Sequence, residues 1–406
     1  MSTAALRGFR AWAASAALSA LGDAITFFAV VWVAASHGPG AASLVLTVGS
    51  VPLAVLILAG GVAADRWGVR SVMFACDLAM ALVMAAFAIG SLWAVPVWAL
   101  AAVSFLSGTA AALRRPGAAV FPRLFARDRE LTRLMAGVTL LLQLANVTGP
   151  VVAGALLAAT GLTLTSALDA LSFALVGVVL LLVRPPLTPE RPHATPAWRS
   201  ELGEGLRAAR ATPGVPATIL AVCGLAVTVL PLVELCVPLA GHERGWGATG
   251  TSLVTAGWPL GGMLVMAVVR RRGAPGPVLA LAGPIGAAAG VLLLATTRTL
   301  VVGVVALVVV GAGTSLSTAR VIPRFLDATP PPMLARFSSL LHLAQVAPVL
   351  VVTPVLGSAA HGWGTRAPLV VLAAALLATA VAVRRADAAL SPAPVGSGSR
   401  VRAAPG

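Results

Sequence analysis

The sequence predicts an all-α polytopic membrane protein of twelve transmembrane helices arranged as two related six-helix bundles. Composition, run length and the placement of arginine predict it. Of 406 residues, 59% are hydrophobic and 10% charged, against about 25% charged in a soluble domain. A soluble chain could not hide that much apolar surface, so soluble enzymes and disordered scaffolds are excluded. The apolar residues fall into twelve runs, at 11–35, 42–64, 72–91, 94–113, 135–158, 163–183, 216–240, 250–269, 277–296, 299–318, 338–358 and 367–383. Each is near the ~20 residues that cross a bilayer. Long continuous runs must be helices, because backbone polar groups in lipid are satisfied only within a helix or a closed barrel.

Arginine sets the orientation. All 28 basic residues are Arg. With the N-terminus inside, every one except Arg244, Arg298 and Arg366 falls in an inner segment. The positive-inside rule produces this alternation for an even number of spans. The net charge of +15 is thus orientation information, and no nucleic-acid partner is expected. Both termini are expected in the cytoplasm, in a cytoplasmic (cell) membrane. Trp12, Trp32, Trp93, Trp98, Trp246 and Trp363 lie near span ends, where amphipathic rings sit; Trp258 lies mid-span. Cys76, Cys223 and Cys236 lack metal-ligand spacing and read as small hydrophobes. No cofactor and no metal is expected.

The organisation reads as an N-terminal bundle at 1–183, a Pro-rich cytoplasmic linker at 184–215 with a short helix near 200–210, a C-terminal bundle at 216–383 and a disordered cytoplasmic tail at 384–406. The halves are related. Leu142-Gln143-Leu144-Ala145-Asn146-Val147 matches Leu341-His342-Leu343-Ala344-Gln345-Val346, and Phe121-Pro122-Arg123 matches Ile322-Pro323-Arg324. Offsets near half the length indicate a duplicated unit. Duplication is frequent in secondary transporters, whose substrate site lies between the repeats.

Ionisable groups inside a span are functional candidates by default. Asp23 is mid-span in span one, and Glu234 lies between Pro231 and Pro238 in span seven. These two are the candidates for proton coupling and substrate contact, joined by Gln143, Asn146 and His342. Asp77 follows Arg70 by about two turns and reads as part of a charge network with the loop before it. The residues Gly149, Pro150 and Gly154 predict a kink with close helix contact in span five, because Pro breaks the ladder and Gly admits a neighbour. Enzyme signatures such as HExxH, GxSxG and Walker A are missing from the sequence, so no enzymatic activity is expected.

The loop Gly61-Val62-Ala63-Ala64-Asp65-Arg66-Trp67-Gly68-Val69-Arg70 resembles the loop 2–3 signature of the major facilitator superfamily, with matches at Gly61, Asp65, Arg66, Gly68 and Arg70 and a departure at Val69. Gly149-Pro150-Val151-Val152-Ala153-Gly154 is similar to an element of the superfamily's exporters. Leu168-Asp169-Ala170-Leu171-Ser172-Phe173, Leu21-Gly22-Asp23 and the segment Arg114-Arg115-Pro116-Gly117-Ala118 resemble its enterobactin and macrolide efflux carriers. The span-four Arg of drug/proton antiporters is missing from 95–113. The resemblance implies a secondary transporter working by alternating access, with a small-molecule substrate, a lipid bilayer and a proton gradient as partners, acting as a monomer. It implies a gating role for the loop and Asp77. Efflux of a small amphipathic compound (drug, siderophore or secondary metabolite) by proton antiport is the first expectation. The alternative is an uptake symporter for a metabolite, with a membrane enzyme or scaffold third.

Overall fold

The protein is described from a computed structural model, which describes residues 3–126, 128–187, 207–212, 214–329 and 333–390. Among the described residues the fold is helical, without strands. In the first half, α1 is Thr3–Ser36, α2 Pro39–Trp67, α3 Val69–Gly90 and α4 Val97–Val120. One helical stretch, Asp128–Leu182, then breaks at Gly161 (φ 72°, ψ −174°) into α5 (128–160) and α6 (162–182). Only glycine adopts that backbone without strain, so one residue makes the hairpin between two spans. In the second half, α7 is Val215–Glu243, α8 Gly247–Arg272, α9 Pro277–Thr296 and α10 Leu300–Ala328. The eleventh span, α11, comes in two pieces, Leu334–Val346 and Val349–Trp363, and α12 is Arg366–Ala389. The twelve predicted runs map onto these twelve helices in order.

The apolar exterior supports a membrane setting. Val278, Leu182 and Val301 are 80%, 75% and 73% exposed, and lipid is the solvent that such a surface tolerates. Trp93, Trp98 and Trp363 are exposed as expected, but Trp12 is buried, packed on Phe9 and Phe121 in an aromatic cluster completed by Phe125. The tail begins later than the hydropathy suggests. α12 runs to Ala389 because Asp387 near its end binds Arg320 (2.5 Å) and Arg324 (2.6 Å) of α10. Residues 391–406 lie outside the described residues, as do 188–206 of the linker; 207–211 are helical.

Within each half, small residues let helices touch backbone to backbone. A Cβ on Gly108 of α4 would overlap the Gly49 carbonyl of α2. In the second half Gly261 of α8 faces Val308 of α10, and Gly311 of α10 faces Trp258 of α8. Close approach of this kind is how helices associate in lipid, where apolar burial supplies no driving force. The pairs α2–α4 and α8–α10 occupy matching places in the two halves, in keeping with the duplicated sequence.

The halves meet chiefly through α5 against α8 and α2 against α11. Their side-chain contacts cluster at the end of the bundle away from the chain termini. His242, near the end of α7, stacks on Trp32 of α1 with centroids 3.7 Å apart, and its Nε2 lies 2.9 Å from the Trp32 carbonyl. Thr249 Oγ1 of α8 donates to the Gly154 carbonyl of α5 at 3.1 Å. Ser43 of α2 abuts Gly357 of α11.

Candidate functional site

Below those contacts, toward the termini, the halves enclose a cavity of about 1060 Å³. It runs from Val31 and Val45 near the closed end to Ala118 and Met266. Helices α1 to α6 supply most of the wall, and α7, α8 and α10 the remainder. That volume lies at the upper end of the range for small-molecule sites.

Four acids, Asp23, Asp77, Asp169 and Glu234, line it against two arginines, Arg114 and Arg115. The two arginines are the main surprise. In the sequence they read as part of an inner loop, with no Arg in span four. α4 continues to Val120, so Arg114 stands about 9 Å inside the helix end at 1.5 Å per residue and faces the cavity. The sequence signal for this is Pro116-Gly117-Ala118-Ala119-Val120, which is too apolar for a loop.

Asp77 differs from the sequence reading as well. It does not pair with Arg70. Its fully buried side chain takes Arg114 as partner, with Arg114 Nε 2.8 Å from Asp77 Oδ1. The approach lies off the N–H direction, so the contact is an ion pair more than a hydrogen bond. Arg70 instead donates from Nε to the Leu180 carbonyl (2.5 Å) and from Nη2 to the Leu181 carbonyl (2.6 Å). These are orphan carbonyls at the end of α6, where the helix dipole favours a cation. Arg70 thereby ties the start of α3 to α6, and Gly68, at φ 83°, makes the sharp turn between α2 and α3. Arg66 is exposed. Gly61 and Asp65 are helical, but their side chains lie outside the described residues.

Asp23 faces the cavity from α1 and interacts with the charges of Arg114 and Arg115. Asp169 of α6, 1% exposed, accepts from Ser172 Oγ at 3.2 Å and leaves no room for a Cβ at Gly22. Glu234 enters from the second half on a π-turn, Leu232–Cys236, inserted in α7. Such turns mark functional sites often enough to be informative. Gln143 and Asn146 are exposed to the cavity from α5. His342 is in the first piece of α11, with its side chain outside the described residues. Pro150 lines the cavity; Gly149 packs on Ala24 of α1, and Gly154 on Ser252 and Ala248 of α8 in the other half.

The Asp77–Arg114 pair yields a direct test. Removing one member of a buried pair typically destabilises by about 3 kcal/mol, whereas replacing both is far milder. Asp77→Asn should lower the melting midpoint of the detergent-solubilised protein, and Asp77→Asn with Arg114→Gln should recover most of the loss. Equal melting of all three proteins would refute the pairing.

A helical membrane protein whose two halves enclose a substrate-sized, charge-lined cavity has the build of a carrier. The sequence model of the Major Facilitator Superfamily matches residues 12–346, and the chain belongs to that superfamily: it is a transporter, not an enzyme. Solved structures of similar fold include a bacterial homologue of the iron transporter ferroportin in an inward-facing state (TM-score 0.74, 17% identity, covering 95% of this chain and 100% of that one). A bacterial homologue of the human lysosomal transporter Spinster, also inward-facing, has TM-score 0.72 and 15% identity over 97% of this chain and 100% of that one. The nucleoside transporter NupG has TM-score 0.68 and 11% identity over 93% of this chain and 98% of that one. At these identities the likeness concerns the fold. No curated protein matches the sequence.

Proposed function

We propose that the protein exports a small amphipathic compound across the cytoplasmic membrane by proton antiport, with both termini in the cytoplasm. The cavity and its charge set carry this reading. The conformation described is then inward-facing: the halves are joined at the outer end by Trp32–His242 and Gly154–Thr249, and the cavity extends toward the cytoplasm. Alternating access rocks the two bundles, 1–183 and 216–383, about the cavity. Asp23 is the coupling carboxylate. A proton and the guanidinium of Arg115 or Arg114 compete for it, so protonation frees an arginine and rearranges the α1–α4 contact.

Export is supported by the sequence elements Gly149–Gly154 and Asp169–Phe173 of the exporter type, both of which border the cavity or the contact between halves. The experiment is flux in proteoliposomes under a pH gradient imposed in either direction, with the substrate first sought by growth of a deletion strain on antibiotics and siderophores. Counter-movement of substrate and protons supports antiport. Co-movement would establish the symporter reading, and flux indifferent to the gradient would remove proton coupling.

A further inference from the structure

We propose that Glu234 is the counter-charge for the substrate, and that the substrate is a lipophilic organic cation. The inference rests on the reading of the cavity as the transport site. It assigns Glu234 to recognition and leaves coupling to the cluster on the first half.

The charge inventory points this way. The chain as a whole is at +15, yet its cavity carries four acids against two arginines. In the first half Asp77 is matched by Arg114, Asp23 interacts with Arg114 and Arg115, and Asp169 is held by Ser172. Glu234 stands apart from this set, on the other half. Among the described residues it has neither a hydrogen-bond nor an ion-pair partner. A charge left alone at such depth is costly, and a cation entering the cavity supplies what the protein leaves out.

The surrounding wall fits the rest of such a molecule. Phe27, Phe173 and Trp258 offer aromatic faces, and Met80, Met263 and Met266 flexible thioethers. Aromatic faces attract cations, and methionine adapts to irregular apolar shapes. The π-turn where Glu234 enters packs on α1 and α2, and the same cavity is lined by Val233 and by Thr255 and Trp258 of α8. An anionic chelator would meet a surplus of acids, which sets this inference against siderophores.

The probes are tetraphenylphosphonium and tetraphenylborate, which share a shape and differ in charge. Equilibrium binding to the purified full chain in detergent should favour the cation by at least tenfold. Glu234→Gln should weaken cation binding tenfold or more, and Glu234→Asp should retain most of it. Preference for the anion, equal binding of both, binding of neither, or wild-type cation affinity in Glu234→Gln would each overturn the inference. Should Glu234→Gln fail to fold, the wild type decides alone: the cation should protect Glu234 from a hydrophobic carbodiimide, read by mass spectrometry, and unprotected labelling would overturn it. Cation binding through Glu234 combined with flux that ignores the pH gradient would refute antiport and leave this inference standing.

Discussion

Asp23→Asn should abolish uphill transport driven by a pH gradient, by at least tenfold, while exchange of substrate for substrate continues. Asp23 lies mid-way along α1, faces the cavity and shares the fields of Arg114, Arg115 and Asp169. An ionised group at that depth is unfavourable by roughly 2.5–3.5 kcal/mol on insertion scales; a neighbouring arginine or a proton offsets this. Asparagine imitates the protonated side chain in size and leaves the substrate wall intact, so exchange, which needs no net proton movement, should persist. Gradient-driven accumulation at wild-type levels in Asp23→Asn would make Asp23 a packing residue and move coupling to Asp77 or Asp169.

The second large effect is expected at Gly154. A Cβ there would overlap Ser252 Oγ and stand 2.6 Å from Ser252 Cβ and 2.8 Å from the Ala248 carbonyl. Those atoms belong to α8, across the contact between halves. Gly154→Val should therefore prise α5 from α8 at the closed end. Overpacking of this kind amounts to about 1–3 kcal/mol, which tilts a two-state balance roughly 5- to 150-fold. Turnover should fall steeply while expression survives, since alternating access requires this contact to part in the opposite state. In a background lacking Cys76, Cys223 and Cys236, a cysteine replacing Thr249 should react faster with an impermeant maleimide when Gly154→Val is also present. Unchanged reactivity would show that the closed end tolerates the bulk.

Much of this is legible in the sequence, and the exceptions share a cause. Span number, order and the relation of the halves follow from hydropathy and arginine spacing, because lipid imposes local rules on each segment. The failures concern side chains that face inward, to water or to a distant helix. Arg114 and Arg115 look like the end of a span, since a cavity-facing arginine and a loop arginine interrupt an apolar run in the same way. Proximity along the chain pairs Asp77 with Arg70, whereas its partner Arg114 comes from the next helix. Trp12 reads as an interfacial ring, but Phe121 and Phe125, more than a hundred residues on, enclose it. Asp23, Glu234, Gln143 and Asn146 stand out in the sequence because polar residues well inside a span have few other reasons to be there. Their division between two walls of one cavity is not visible there, since it depends on how distant helices pair.

The π-turn in α7 acts as a one-residue insertion in an otherwise regular helix. Beyond it lie Val237–Glu243, where His242 stacks on Trp32 and Glu243 accepts from the Thr365 backbone N–H at 3.1 Å. At 3.6 residues per turn, one residue is worth about 100° of rotation. Were the helix to tighten to regular geometry, both residues would swing away from their partners by that angle. The widened turn thus acts as a clutch within one helix: it sets the phase of the closed-end contacts relative to the face that carries Glu234. A helix free to exchange π for α geometry could disengage those contacts by twisting, with no hinge in the chain and no movement of the loops.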